Sequence, residues 1–475
     1  MSALHDLSAT EQRDALHRRE VSARELTAHY LDRIDRLAGP LGAFVTVVPD
    51  QALAEADRAD AVLAAGDGAA LTGVPLAIKD LHATAGIRTT AGTTALAEFV
   101  PPRDAWTVGL LRQSGAVVVG KSSTAELGAT CYVDAVVTEH AAVTPFDPTR
   151  YSSGSSGGAA TAVAAGLVPF AHGSDSAGSI RTPAATCNLV GVKPSRGLVS
   201  IAPASTFLAM GTEGPLARTV ADAALLLDAM AQPWAGDLYG WRPEQSFTAA
   251  LEQEIDRPMT IAMWTDAGLD SVKTDPGITA GVQATADGLR AAGHEVREMA
   301  IPARLDGDVV EALRTWFTYA AAMSAAAMAP PERYGLYTPL TQYLMGQAQA
   351  FSASDILLAQ SRLAGYASAF LAAFEGVDAA LTPVTTAPPV PVGHFLAGGV
   401  DTALDAMLDW SSPTPWVNFT GQPAIALPAG FTADGLPRAA QLVGRPRADA
   451  QLLQLARQVE QATPWRGIHP AVWEE

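Results

Sequence analysis

Short apolar segments of strand type alternate with helical segments through the first part of the chain. FVTVV (44–48), PLAIKD (75–80) and AVVVGK (116–121) have the length and the β-branched content of buried strands. An apolar helical stripe precedes the first segment, at residues 22–37, and another helical pattern lies near 105–113. Chains that alternate in this way bury a sheet between helical layers, so the sequence predicts an α/β fold.

The predicted secondary structure and the composition change along the chain. Helical sequence dominates residues 1–70, and strand-like and glycine-rich segments concentrate in 71–230. Residues 231–375 are mostly helical and alanine-rich, apart from a predicted strand at TIAMW (260–264), and strand-like segments return in 376–475. Because no linker or internal repeat separates these parts, we predict a single compact domain with one core.

The charge of the chain argues against two classes of partner. The 475 residues include 49 acidic and 31 basic side chains, for a net charge of −18 at pH 7. Such a surface repels phosphate backbones and anionic lipids, so we expect no nucleic acid and no membrane as partner. The N-terminus lacks the apolar core of a signal peptide, and the longest apolar run (159–171) is too short to span a bilayer. These features predict a cytoplasmic protein.

The cysteines do not predict a metal site. Cys131 and Cys187 are too far apart in sequence for a zinc motif, and no H-E-x-x-H segment occurs. A chain with 48% hydrophobic residues also needs no disulfide to stabilise its core. We therefore expect no bound metal.

Lys79 ends an apolar predicted strand in GVPLAIKDLH (73–82). Burial disfavours the charged ammonium and lowers the pKa of a lysine, which provides a neutral amine that works as a base. The alternative is structural, because Lys79 at the end of a strand can simply pair with Asp80.

The loop GSSGG (154–158) leads into a small-residue helical stretch. Its glycines permit unusual backbone angles, and the helix N-terminus leaves free N–H groups beside the loop, although a flexible linker is the alternative.

The loop also matches G-x-S-x-G, the nucleophile motif of α/β-hydrolases, with Ser156 at its centre. That motif requires a preceding strand, and TPFDPTRYSS lacks strand character. An α/β-hydrolase with Ser156 as nucleophile therefore stays an alternative.

The stretch GSDSAGSIRTPA (173–184) is too small and polar for a core strand and too rich in glycine for a stable helix. Small residues before Ser179 allow consecutive backbone N–H groups to converge on one point, as an oxyanion hole requires. Asp175 and Arg181 bracket the stretch and can brace it as an ion pair. A tight turn with capping serines is the structural alternative.

Together, these segments resemble the motifs of the amidase signature family. GVPLAIKD (73–80) is similar to the lysine motif, GSSGGAATAVAAG (154–166) to the Gly/Ser signature, and residues 173–200 to the nucleophile motif. Segments 214–230 and 419–431 match later motifs in the same order. The resemblance implies the amidase signature fold, a large mixed central β-sheet sandwiched between layers of α-helices.

The resemblance also implies the role of each catalytic residue. Ser179 corresponds to the nucleophile, and Ser155, 24 positions earlier, to a bridging serine that follows a cis peptide bond. Lys79 corresponds to the base behind Ser155. No cofactor is implied. The backbone N–H groups expected to form the oxyanion hole belong to Ser176, Ala177 and Gly178.

The family organisation extends the division of the chain. It implies that 1–70 packs on the core, 71–230 holds the catalytic residues, 231–375 determines the substrate and 376–475 completes the core sheet. The expected substrate is a small, uncharged amide, hydrazide or carbamate, and a homodimer is possible. The expected substrate-binding residues are Thr130, Cys131, Tyr132, Gly154, Phe207 and Trp316.

Two further functions stay open at this stage. One is a glutaminyl-tRNA amidotransferase A-type subunit, which shares the family core but needs partner subunits and a route to tRNA. The other is a non-catalytic binding protein on an amidase scaffold. The acidic charge argues against the first, and the presence of Lys79, Ser155 and Ser179 argues against the second.

Overall fold

One β-sheet runs through the protein, which we describe from a computed structural model for residues 3–202 and 210–475. Within these residues the sheet contains eleven strands: β1 (Phe44–Val47), β2 (Pro75–Lys79), β3 (Val117–Ser122), β4 (Phe170–Asp175), β5 (Val190–Lys193), β6 (Thr212–Ala217), β7 (Thr260–Met263), β8 (Glu295–Glu298), β9 (Ala379–Pro383), β10 (Ala424–Phe431) and β11 (Pro437–Gly444).

Across the sheet the strands follow the order β1-β3-β2-β4-β6-β5-β10-β11-β9-β7-β8. β2 pairs in parallel with β3 and β4, and β7 pairs in parallel with β8 and β9. The strands from β4 through β6, β5, β10 and β11 to β9 are antiparallel to their neighbours, as is β1 to β3. The predicted α/β fold with a large mixed sheet is confirmed.

Helices pack around the sheet, and in the described residues none is long and apolar enough to cross a membrane. Fifteen α-helices occur in this part of the chain: α1 (Ala9–His17), α2 (Ala23–Leu41), α3 (Pro49–Ala65), α4 (Trp106–Gln113), α5 (Gly157–Ala164), α6 (Arg181–Thr186), α7 (Val220–Met230), α8 (Phe247–Ala250), α9 (Pro276–Ala291), α10 (Gly307–Met328), α11 (Pro339–Ala348), α12 (Ala353–Ala372), α13 (Ala403–Ser411), α14 (Pro415–Thr420) and α15 (Asp449–Ala462).

The N-terminal helices show how local sequence signals set the element boundaries. Ser22 and Glu25 form a capping box at the start of α2, and Gly42 ends the helix in a left-handed conformation with φ 60°. Leu26 and Tyr30 on the predicted apolar stripe are fully buried. The stripe therefore fixes which face of α2 lies against the core.

The sheet and two buried elements position the functional residues. α5 is buried along its whole length and packs against β2 and β4, the two strands that carry Lys79 and Asp175. Residues 231–375 contribute α10, α11 and α12, which pack together, and also β7 and β8 at one edge of the sheet. This region thus joins the sheet as well as covering it.

Candidate active site

Lys79 is the last residue of β2 and is fully buried. Its Nζ lies 2.8 Å from Ser155 Oγ and 2.9 Å from Ser174 Oγ. Burial lowers the pKa of Lys79 to about 7, while the negative charges of Asp175 and Glu213 work in the opposite direction. Much of the amine is therefore neutral near pH 7, which is the state that a general base requires.

Ser155 belongs to the loop that enters α5, and the Gly154–Ser155 peptide bond is cis. The chain passes so close here that a Cβ on Gly154 would lie 2.5 Å from the backbone nitrogen of Tyr132. The next residue, Ser156, donates its backbone N–H to the carbonyl of Ser179 at 3.2 Å. The loop of the candidate bridging serine is thus fastened to the backbone of the candidate nucleophile.

A buried ion pair supports the turn that carries Ser179. Arg181 contacts the Asp175 carboxylate through Nε and Nη2, each at 3.0 Å. The same carboxylate accepts hydrogen bonds from the backbone N–H groups of Gly178 at 2.7 Å and Ile180 at 3.2 Å. Burial works to raise the pKa of Asp175, but the Arg181 guanidinium brings it well below its usual range. Asp175 therefore stays ionised and holds the turn.

The predicted oxyanion hole needs one correction. Gly178 is buried, and its N–H donates to Asp175 and is not available to a substrate. Gly178 is required for another reason, because it has φ 130° and a Cβ there would lie 2.3 Å from Thr414 Oγ1. Within the described residues, three N–H groups of this turn lack an acceptor: those of Ser176, Ala177 and Ser179.

A cavity of about 240 Å³ opens beside this turn, between α10 and α13. Residues 176–179 and four of the predicted substrate-binding residues line it: Thr130, Cys131, Gly154 and Trp316. Most of the remaining wall is apolar, formed by Leu127, Met210, Leu313, Phe317, Leu404, Met407 and Leu408. Among the described lining residues, Arg314 is the only charged one, and its guanidinium lies 2.7 Å from the Asp405 carboxylate.

One predicted substrate-binding residue, Tyr132, does not line this cavity. Tyr132 is buried against Phe395, with ring centroids 5.2 Å apart, and lines a neighbouring cavity beyond residues 129–130. The position of Tyr132 corrects the sequence prediction, because the chain between Cys131 and Tyr132 passes from one cavity wall to the next. Phe207 lies outside the described residues.

Several lining residues were not predicted from the sequence. Leu313 and Ala320 lie three and four positions from Trp316 on α10 and share its face. Arg314 and Ser324 lie three and seven positions from Phe317, which also lines the cavity. Their helical spacing was a usable signal, because residues three, four and seven positions from a pocket residue share its face. The residues on α13 carry no comparable signal, since only the packing of α13 beside the turn brings them into the wall.

Ser156, the nucleophile of the α/β-hydrolase alternative, is fully buried and does not line the cavity. Its Oγ donates to the carbonyl of Ser174 at 3.2 Å. The hydroxyl therefore fixes the α5 loop to β4 and is turned away from the space where a substrate fits.

One further cluster lies behind Lys79. His82, His172 and Glu213 offer side-chain atoms within 4.8 Å of one another, which is a donor set for a transition metal in principle. However, the nitrogens that face Glu213 contact its carboxylate directly, His172 Nε2 at 2.7 Å and His82 Nδ1 at 3.1 Å, so these atoms hydrogen-bond to one another. We therefore describe the three residues as a hydrogen-bonded cluster.

Comparisons with known proteins agree with this geometry. A family model described as "Amidase" matches residues 25–453. The chain is 35% identical to the A-type subunit of the glutamyl-tRNA(Gln) amidotransferase from Acinetobacter baumannii (strain AYE), over the full length of both chains.

Solved structures with the same fold include several amide hydrolases. A 6-aminohexanoate cyclic dimer hydrolase superposes with a TM-score of 0.90 and 26% identity, covering 99% of both chains. A bacterial aryl acylamidase of the amidase signature family gives a TM-score of 0.89 and 25% identity, covering 98% of both chains. The peptide amidase from Stenotrophomonas maltophilia gives 0.77 and 28%, covering 96% of both chains. The chain is an amidohydrolase and belongs to the amidase signature family.

Proposed function

We propose that the protein hydrolyses the C–N bond of a small, uncharged amide, hydrazide or carbamate with an apolar acyl group, through an acyl-enzyme on Ser179. The observation that carries the proposal is the contact between the buried Lys79 amine and Ser155, beside a largely apolar cavity that Ser179 lines. No lining residue that the structure describes is acidic, so nothing in the cavity wall attracts a cationic substrate.

Acylation begins with proton transfer along the two serines. Neutral Lys79 accepts the proton of Ser155 while Ser155 accepts the proton of Ser179, and Ser179 Oγ forms a bond to the carbonyl carbon of the substrate. The carbonyl oxygen becomes an oxyanion near the free backbone N–H groups of Ser176 and Ala177. The proton then returns through Ser155 to the leaving nitrogen, the C–N bond breaks and the amine departs.

Deacylation follows the same route with water as the nucleophile. A water molecule gives a proton through Ser155 to Lys79 and attacks the ester carbon. The second tetrahedral intermediate collapses, the proton returns to Ser179 Oγ, and the carboxylic acid is released. For a carbamate substrate, cleavage of the C–N bond leaves an alkoxycarbonyl group on Ser179, and water releases it as a monoester of carbonic acid.

A second candidate function rests on the relative that is 35% identical, the A-type subunit of a glutamyl-tRNA(Gln) amidotransferase. In that role, the chain would pass ammonia from an amide donor to a partner. The cavity wall argues for the hydrolase, because an amino-acid substrate such as glutamine needs an anionic group for its ammonium and the described lining residues provide none. Turnover of an aryl amide by the isolated chain, without glutaminase activity, would favour the hydrolase.

The relay is tested by labelling with a fluorophosphonate, followed by peptide mass spectrometry and assays with a panel of aryl amides, hydrazides and carbamates. We expect one adduct, on Ser179. Ser179→Ala should give no adduct, and its turnover should fall by at least about 10³-fold. Lys79→Ala should lower both the rate of labelling and the rate of turnover by about 10²–10⁴-fold.

Two comparisons make this test decisive. Ser156→Ala is the matched control on the same loop and should retain labelling, because its hydroxyl lies outside the cavity. An adduct on Ser156, or wild-type rates in folded Ser179→Ala or Lys79→Ala, would contradict the proposed relay.

A further inference from the structure

Glu213 is a buried acid held between two imidazoles, and it does not line the cavity. Its Oε1 lies 3.1 Å from His82 Nδ1 and its Oε2 lies 2.7 Å from His172 Nε2. The two imidazole rings are nearly perpendicular, with centroids 4.7 Å apart. The side chains of Glu213 and His172 are almost completely buried, and that of His82 is 14% exposed. Such a carboxylate keeps its charge only if its hydrogen bonds compensate for burial.

The imidazoles supply that compensation. Burial works to raise the pKa of Glu213, but His82 and the hydrogen bonds from both imidazoles bring it well below its usual range. Burial lowers the pKa of His172 to about 4, so this imidazole is neutral near pH 7. Glu213 is therefore an ionised carboxylate that accepts a hydrogen bond from neutral His172.

The register of the sheet places this charge beside the catalytic lysine. Glu213 on β6 is directly opposite Ser174 on β4, and Ser174 Oγ is the group that contacts Lys79 Nζ at 2.9 Å. His172 lies two residues before Ser174 on the same strand and therefore on the same face. His82 follows Lys79 by one turn, with its N–H donating to the Lys79 carbonyl at 3.1 Å.

We propose that Glu213, clamped by His82 and His172, is a positioning residue that holds a negative charge beside Lys79 and so sets the pH range in which Lys79 acts as a base. This inference rests on the proposed relay. The charge favours the ammonium form, and it offsets part of the effect of burial, which favours the neutral amine. The clamp thereby keeps the pH at which Lys79 loses its proton close to neutral.

Glu213 is not the only negative charge near Lys79. Asp175 on β4 works in the same direction and more strongly, although it is paired with Arg181 on α6 at 3.0 Å, so Glu213 accounts for only part of the effect. Asp80 points to Lys121 on β3, with 3.8 Å between the charged atoms. Charged and titratable groups surround Lys79 on several elements. They are Asp80 and His82 after β2, Lys121 on β3, His172 and Asp175 on β4, Glu213 on β6 and Arg181 on α6.

The test is the pH dependence of Ser179 labelling by a fluorophosphonate, measured from pH 5 to pH 9. In the wild type we expect the rate to rise with pH as Lys79 loses its proton. Glu213→Gln keeps an oxygen that accepts hydrogen bonds but removes the charge, so the rise should move to lower pH by about one unit. Glu213→Asp keeps the charge and should restore most of the wild-type midpoint, which a purely structural role would not require.

The control is Asp449→Asn, which removes another fully buried carboxylate, one bound to Ser195 and not facing Lys79. It should leave the midpoint unchanged. Absence of labelling in the wild type would contradict the relay itself. Labelled wild type with an unshifted midpoint in folded Glu213→Gln would overturn the inference alone.

Two more outcomes are decisive. If Glu213→Gln does not fold, His172→Gln takes its place, because the glutamine amide still donates a hydrogen bond to the Glu213 carboxylate. The midpoint of its labelling profile should be close to that of the wild type. A large shift of that midpoint would overturn the assignment of the charge to Glu213. Stoichiometric zinc in the purified wild type that is lost in Glu213→Gln would also overturn it, because the cluster would then be a metal centre.

Discussion

The turn after β4 shows how one buried ion pair organises several backbone groups. Arg181 is fully buried and makes contacts to Asp175, to the carbonyl of Thr414 at 3.1 Å and to the side chains of Gln441 and Asn418 at 3.0 and 2.6 Å. The guanidinium joins the turn after β4 to α14 and β11 in this way. Its planar set of donors suits several acceptors at once, a role that lysine cannot perform.

We predict that Arg181→Ala destabilises the protein by about 3–5 kcal/mol, because it leaves the Asp175 charge buried without a partner. Denaturant unfolding measures the loss. Adding Asp175→Asn to that variant should recover part of it, since the uncompensated charge is then removed.

The control for this prediction is Arg18→Ala, which removes an exposed arginine paired with Glu20 and should leave the unfolding free energy unchanged. An equal, small loss in both single variants would show that the buried pair contributes little to stability.

At the scale of elements, burial on both faces is not enough to make a strand recognisable from the sequence, since β4, β5 and β6 are almost entirely buried and were not predicted. Residues 173–175 end β4 and residues 181–184 begin α6, so the prediction that 173–184 suits neither a core strand nor a helix is wrong. Backbone pairing with β6 holds these small polar residues in the sheet despite their low strand propensity.

The strand segments around β2, β3 and β7 were recognisable from their β-branched residues. β8 (Glu295–Glu298) was not, because it lies at the edge of the sheet and most of its residues are exposed and charged. The Glu213 cluster also escaped prediction, since only the β4–β6 register brings its members together.

The site divides in the same way. Motifs within short segments single out Lys79, Ser155 and Ser179 as the proposed relay, and the structure brings Lys79 into contact with Ser155. The cavity wall depends on how α10 and α13 pack, which no local pattern encodes. The use of the Gly178 N–H by Asp175 likewise follows from the three-dimensional path of one turn.

The cavity-facing side of α10 gives a prediction at this scale. Ala320 lines the cavity, so Ala320→Trp should fill part of its 240 Å³ and lower the rate of Ser179 labelling by at least about tenfold. Met323→Trp changes an exposed position on the same helix and should label at the wild-type rate. Equal rates in both variants and the wild type would show that substrates reach Ser179 by another route.

At the scale of the whole molecule, segments distant in sequence meet at a second group of acids, of which Asp222 is buried and Glu460 is partly buried. Glu460 on α15 accepts the N–H of Val220 at 3.1 Å, close to Asp222 on α7, which in turn accepts two hydrogen bonds from Thr10 on α1. Burial raises the pKa of Glu460 from 4.5 to about 7, and the charge of Asp222 adds to the rise. The N-terminal and C-terminal helices are therefore joined at a group that titrates near neutrality.

This group predicts a pH dependence of stability. The folded state binds the Glu460 proton more tightly than the unfolded state, so the stabilisation is complete below about pH 4.5 and is lost as the pH rises through 7. Glu460→Gln should therefore raise the unfolding free energy, relative to wild type, more at pH 8 than at pH 5. Glu252→Gln, at an exposed position, is the control, and an equal effect of Glu460→Gln at both pH values would contradict the assignment.

The separation between the relay and much of the cavity wall has a consequence for descent. Lys79, Ser155 and Ser179 come from the first half of the chain, whereas α10 and α13 lie in the second half. Mutations in 307–328 and 403–411 can reshape the cavity while the relay stays intact. Selection on these two helices alone is therefore a route to a new substrate that leaves the proposed relay untouched.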